Sequence, residues 1–443
     1  MADADSAAPA LPSPSEFLRL IGIGAVIGIP AAFVAVAFLA IVDKAEDWLW
    51  TDLPDALGQS EPPSYLVIGA PVVGALLVYA ARRFLPGDGG HEPLNGIGGG
   101  QMAWRYGPGI LLAAFGTLAF GAVLGPEAPL IGLGSVVGTA AVSLFKVKAG
   151  VAEPVLGTAG SFSAVSALFG GPLVAGMLLL EGGLAMGAAL LPALIPGLVA
   201  AAIGYVIIVG IGDWGGIGGT TLSVPDLPAY DGTRIVDLLL AVVVGLVTAI
   251  VIAVIRKVAV DIHTRSKRSL LLGLLAGGLG VGLLAEVARL LGADSQEVLF
   301  SGQSGLPVEV ATGSMKVLLI VLGAKALGYA ISLGCGFRGG PVFPAIFLGT
   351  GVAMVAVIGF GVSPTWAVSV GAAAGMAAGT RLVFSSVLLA SLLAGTAGID
   401  AMPAAVLATV TAWMAMRAID ARFGVTTVEV APAADGQGAA APS

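Results

Sequence analysis

Cysteine and histidine are scarce in this 443-residue chain, which holds one cysteine, Cys335, and two histidines, His91 and His263. A single thiol excludes an internal disulfide and a cysteine cluster for a metal. The two histidines sit among polar or charged neighbours, both in expected loops, which argues against a catalytic or metal-binding histidine inside a membrane. Charge is scarce as well. Asp, Glu, Lys and Arg make up 11 % of the chain, against roughly 25 % in soluble domains, too few to solvate a globule of this size. No dense basic patch occurs, which argues against nucleic acid as a partner. Met1 to Ser15 lacks the basic start of a secretory signal.

Apolar residues fill the space that charge leaves: 57 % of the chain is hydrophobic and the mean hydropathy is +1.00. Stretches long enough for spanning helices recur at 17–42, 65–81, 109–124, 129–144, 190–211, 235–255, 269–291, 317–333, 367–393 and 404–419. The fold class is therefore all-α, a polytopic integral membrane protein of the cell membrane. Several stretches are short or broken by Gly and Pro, as expected where helices break near the mid-plane and line a cavity. Most of the 67 glycines are expected simply to let helix backbones approach closely. Residues 1–15 and 424–443 are expected to be disordered, with one transport domain over 16–423 and no soluble domain after it.

Basic residues give the orientation. Arg256, Lys257, Arg265, Lys267 and Arg268 crowd one connection, and Arg82, Arg83 and Arg105 flank another. The positive-inside rule puts both on the cytoplasmic face. The polar stretch from Ile211 to Arg234 then links two halves, roughly 16–210 and 233–423, on the outer face. The halves share punctuation. Gly125-Pro-Glu-Ala-Pro129 is followed about 214 positions later by Gly339-Gly-Pro-Val-Phe-Pro344, and Gly170 to Gly176 is about 211 positions from Arg381 to Ser386. Matched breaks of this kind mark a repeat transporter fold.

Glu127 is the first candidate for chemistry. It lies between two apolar runs, with Pro126 and Pro129 at helix-start positions. A helix start offers free N–H groups and partial positive charge, so a carboxylate or a free anion can sit there. Glu127 is thus expected to act as a tethered competitor for an anion, vacating the site when protonated; a plain helix-start acid is the bland alternative. The second motif runs from Phe337 to Gly349, where Gly340 admits close approach and Pro341 and Pro344 set a helix start whose amides face the same cavity. The Gly-rich stretch from Gly90 to Gly100 could hold an anion, or be a flexible loop, but has no Walker pattern.

Together these motifs resemble the CLC family of chloride channels and proton-coupled chloride exchangers. Gly125 to Pro129 is similar to its Gly-Lys/Arg-Glu-Gly-Pro motif, Gly340 to Pro344 to its Gly-x-Phe-x-Pro region, and Gly171 to Glu181 to its Ala-Pro-Leu-Ala-Gly stretch. The resemblance covers roughly 16–423. It implies two inverted structural repeats, about eighteen tilted and partial helices, a homodimer in the lipid bilayer with one pathway per subunit, chloride or a similar small anion as substrate, no cofactor, and Glu127 as external gate. It also implies anion contacts at Asn95 and Gly96, at Gly125 and Gly340, at the Val342 and Phe343 amides, and at Phe423. Departures are plain. Pro126 stands where the family has a basic residue, Asn95 where it has serine, and Phe423 where it has the pore tyrosine. Pro341 removes an amide donor. Gly182 takes the place of the inner proton-carrying glutamate, leaving Glu181 beside it as a stand-in on a proton path or a structural acid. The rival reading is an unrelated secondary transporter of an organic anion or a sodium-coupled solute. A membrane enzyme built on Ser304, in Gly302-Gln-Ser-Gly305, needs a nearby histidine base.

Overall fold

The computed structural model describes residues 13–98, 100–144, 152–184, 190–215 and 222–423. Seventeen α-helices occur among them. The first repeat contains α1 (Pro14–Asp47), α2 (Leu53–Ala56), α3 (Ser64–Phe84), α4 (Gly107–Leu118), α5 (Glu127–Leu144), α6 (Ala152–Leu168), α7 (Pro172–Gly182) and α8 (Leu190–Gly215). The second contains α9 (Ile235–Ser266), α10 (Leu270–Leu290), α11 (Ser295–Val298), α12 (Leu306–Ala311), α13 (Met315–Cys335), α14 (Val342–Phe360), α15 (Pro364–Thr380), α16 (Phe384–Ala394) and α17 (Met402–Phe423). Nine helical segments among the described residues are long and apolar enough to cross a membrane.

The helix boundaries follow local chemistry. Ser13 caps α1 in a box with Glu16, so the helix starts inside the segment expected to lack structure. The rest of that segment, and 424–443, lie outside the described residues. Ser269, Ser314 and Ser363 each cap a helix by accepting a backbone N–H. The expected run 367–393 is two helices instead. Arg381 takes the left-handed conformation at φ +68°, which ends α15. That strained backbone is held by a bond from the Arg381 N–H to Ala377 O, by Asp420 against its guanidinium at 2.8 Å, and by Trp413 Nε1 on its carbonyl at 3.2 Å. The run 109–124 also ends early, at Leu118. In the basic connection, Arg256, Lys257, His263 and Arg265 ride on α9, which extends through Ser266; His263 is therefore not in a loop.

Rim helices carry the lipid-facing surface. On α9, Leu239, Val243, Ile250 and Val254 are each about half exposed or more, as apolar residues are where lipid replaces water. Among the spanning segments, α5 and α14 are the most enclosed. Each packs against the next helix through backbone. A Cβ on Gly134 or Gly138 of α5 would overlap the carbonyls of Gly160 and Leu156 on α6, and one on Gly371 or Gly375 of α15 those of Gly349 and Ala345 on α14. Small residues make this approach achievable in a bilayer.

The described part of the link, 222–234, packs on the second repeat. Val224 N–H reaches Leu393 O at 2.8 Å, Tyr230 N–H reaches Ala397 O at 3.2 Å, and Thr365 Oγ1 donates to Pro228 O. On the opposite side, Arg82 donates to Gly336 O at 2.8 Å, joining the end of α3 to the end of α13.

Candidate functional site

Two helix starts meet at the centre of the molecule. Gly125 and Gly340 form an antiparallel bridge, with Gly125 N to Gly340 O at 2.8 Å and Gly340 N to Gly125 O at 2.5 Å. The register is therefore 215 residues, not 214, with Pro126 matched to Pro341 and Pro129 to Pro344. Proline has no N–H, so each helix start offers two consecutive free amides: Glu127 and Ala128 on α5, Val342 and Phe343 on α14. Of these, the Glu127, Val342 and Phe343 amides lie within reach of one carboxylate, so donors from two positive helix ends converge on one small volume.

The Glu127 side chain fills that volume. It is wholly buried, and its Oε1 accepts from the Phe343 N–H at 2.7 Å. Its Oε2 is buried without a hydrogen-bond partner and lies against the glycine bridge. A Cβ on Gly340 would overlap Oε2, and one on Gly125 would overlap both carboxylate oxygens. Glycine at these positions is a spatial requirement of the folded-in carboxylate. Phe169 stacks on Phe343 at 5.8 Å between ring centroids. Tyr329, on α13, donates from its buried hydroxyl to Pro341 O at 2.9 Å and lies within electrostatic reach of Glu127. Sequence reasoning missed Tyr329 and Phe169; their order along the chain gave no sign, because each reaches the site only through helix packing.

The remaining candidates fall elsewhere. Asn95 closes a short turn, Pro93–Asn95, that packs against α9 and α13. Its Oδ1 is buried and without a partner among the described residues. Gly96 follows at φ +94° and its carbonyl meets His91 Nε2 at 3.1 Å. Beside this turn, Arg338 is buried, bonds to the Asp88 carboxylate and lies 3.9 Å from Glu92. Burial depresses Arg338 from the usual guanidinium range, and Arg82 adds to the effect. His263 faces Glu92 at 3.5 Å, so both histidines are engaged here, whereas Gly302 of the Ser304 motif packs against Phe347 and Lys325. Phe423 is the last residue of α17, 68 % exposed beneath Arg422, and does not join the Glu127 site.

Glu181 is used at a different helix start. It sits near the end of α7 and accepts from the N–H groups of Val383, Phe384 and Ser385 at 3.0, 2.9 and 2.7 Å and from Ser385 Oγ at 2.6 Å. The matched helices α7 and α16 are thereby tied together, as Glu127 ties α5 to α14. In both cases an acid of the first repeat serves amides of the second.

The sequence pattern of the family described as "Voltage gated chloride channel" matches residues 73–417. A protein of Salmonella schwarzengrund (strain CVM19633) named "Putative ion-transport protein YfeO" is 26 % identical over 350 residues, covering 74 % of this chain and 78 % of its own. Among solved structures, a slow cyanobacterial Cl⁻/H⁺ antiporter superposes with a TM-score of 0.72 at 18 % identity, covering 93 % of this chain and 96 % of that one. A CLC-type fluoride/proton antiporter superposes with a TM-score of 0.70 at 20 % identity, covering 91 % and 96 %.

Proposed function

Since this chain belongs to the voltage-gated chloride channel family, we propose that it moves chloride or a similar small inorganic anion between the facing starts of α5 and α14, and that Glu127 is the gate. Membership makes it a multi-pass membrane protein of anion transport, as a channel or a proton-coupled exchanger. The single observation that carries the gate is the Glu127 carboxylate lodged on the Phe343 amide between two helix starts. An anion and a carboxylate want the same donors, so only one occupies them at a time.

Protonation sets the direction. A neutral carboxyl gains less than a carboxylate from amide donors and helix dipoles. Acid therefore weakens the tether, frees the amides and raises anion flux; base restores the block. The Val342 and Phe343 amides, with those of Glu127 and Ala128, form the anion's seat, lined by the Gly125–Gly340 bridge. Asn95, next to the Arg338 cluster, borders the approach from the side where α3 and α13 end. Glu181 is read as a structural clamp, since its four donors are the start of α16. A homodimer in the bilayer, with one pathway per subunit, belongs to the same reading. No enzymatic step is part of it.

The test is anion efflux from liposomes holding purified protein, with pH recorded simultaneously. Wild-type flux should rise as pH falls, and Glu127→Gln should be fast and flat with pH. A Glu127→Gln protein that keeps the wild-type pH response would remove Glu127 from the gate. Uphill proton movement in the wild type identifies an exchanger; its absence identifies a channel.

A further inference from the structure

A second group of buried ionisable side chains lies between α11, α12, α13 and the second and third turns of α14. Glu309, on α12, is 2 % exposed, and neither of its carboxylate oxygens has a hydrogen-bond partner among the described residues. Its Oε1 lies against α14, where a Cβ on Gly351 would overlap it. Lys325, in the middle of α13, is equally buried. Its ammonium donates to the Glu297 and Leu299 carbonyls at 2.8 Å each and sits 4.4 Å from the Phe347 ring centroid. The charged groups facing Glu309 are Lys325 from α13 and Glu297 from α11; α14 contains no ionisable residue. Burial lifts the Glu309 carboxyl well above the usual carboxylate range, Lys325 opposes this, and Glu297 adds to it.

Alignment with Glu127 gives this pair a role beyond charge compensation. Phe343, Phe347 and Gly351 recur every four residues on α14, and Lys325 and Tyr329 are four apart on α13. Each set occupies one helix face. Glu127 meets one end of this strip through Phe343 N–H, and Tyr329 adjoins it through the Pro341 carbonyl. Glu309 meets the other end at Gly351. Eight residues of helix separate the ends by about 12 Å, with Lys325 between.

We propose that Glu309 is a second proton-holding carboxyl, taking protons from the aqueous face nearer α11 and α12 and passing them along this strip, through water, to Glu127. In one transfer a proton leaves the Glu309 carboxyl and arrives on the Glu127 carboxylate. Glu309 is left ionised beside Lys325, and the summed charge of the three groups does not change. The inference rests on the gate reading of Glu127.

The experiment times the response of chloride or fluoride flux to a rapid pH step outside liposomes containing the full chain. Glu309→Gln should slow that response at least tenfold relative to wild type, beyond any change in steady flux. If the single variant does not fold, because Lys325 is left buried and unpaired, the double variant Glu309→Gln with Lys325→Met removes both charges and should show the same slowing. A response as fast as wild type in either variant, with Glu127→Gln unresponsive, overturns the role of Glu309 and leaves the gate standing. A Glu127→Gln protein that still responds overturns both.

Discussion

Gly340→Ala separates the position of the Glu127 carboxylate from its charge. The added methyl would occupy the place of Oε2, so the ionised side chain must leave its seat while remaining in the protein. Leaving breaks the 2.7 Å bond from the Phe343 amide. A hydrogen bond to a charged group contributes about 1.5–3 kcal/mol, and each 1.4 kcal/mol is tenfold. The ratio of blocked to open gate should therefore fall by about ten- to a hundredfold. The assay is liposome anion flux at alkaline pH, where wild-type Glu127 is ionised and seated. Gly340→Ala should raise that flux and flatten its dependence on pH. The reasoning is checked by a double-mutant cycle with Glu127→Ala, which has no carboxylate to displace. In that background Gly340→Ala should have little effect. An effect as large as in wild type would mean that the methyl acts by deforming the helix starts, and would refute the argument.

Two further outcomes concern the scaffold. Glu181→Ala strips three amides and a hydroxyl at the start of α16 of their acceptor; at about 1–3 kcal/mol for unmet donors, the detergent-solubilised protein should unfold at a lower temperature, and an unchanged midpoint would show that α7 and α16 do not depend on this clamp. Gly375→Val drives a branched side chain into the Ala345 carbonyl; overpacking on that scale costs about 1–3 kcal/mol or more, and recovery of folded protein by size-exclusion chromatography should drop sharply, whereas normal recovery would mean that α14 and α15 can separate.

Membrane class, the two halves and the acid at a helix start were legible because each is local: a hydropathy run, a spacing, a Pro-x-x-Pro frame. The family matched by residues 73–417 is the one those motifs resembled. What failed to show was set by contacts distant in sequence. The break at Arg381 depends on Asp420 and Trp413, far along the chain, while the local pattern reads as continuous helix. Tyr329 reaches the site only because α13 packs beside the start of α14. Phe423 stands where the resembled family has its pore tyrosine, and the fold leaves it exposed at the end of α17. The repeat offset of 215, against an approximate expectation of 214, is by contrast local: the shared Gly-Pro-x-x-Pro frame carries it, and the Gly125–Gly340 bridge agrees.

That register has a consequence for polarity. With an offset of 215 residues, the counterpart of Glu127 in the second repeat is Val342. The backbone of the seat is nearly mirror-paired, with the same prolines and the same free amides on both sides, but the acid is present on one side only. Within the duplicated Gly-Pro-x-x-Pro frame the two sides differ at two positions, Glu127 against Val342 and Ala128 against Phe343, and only the first difference carries a charge. On the proposed gate reading, the double variant Glu127→Val with Val342→Glu keeps both pairs of amides and should move the block to the α14 side of the seat.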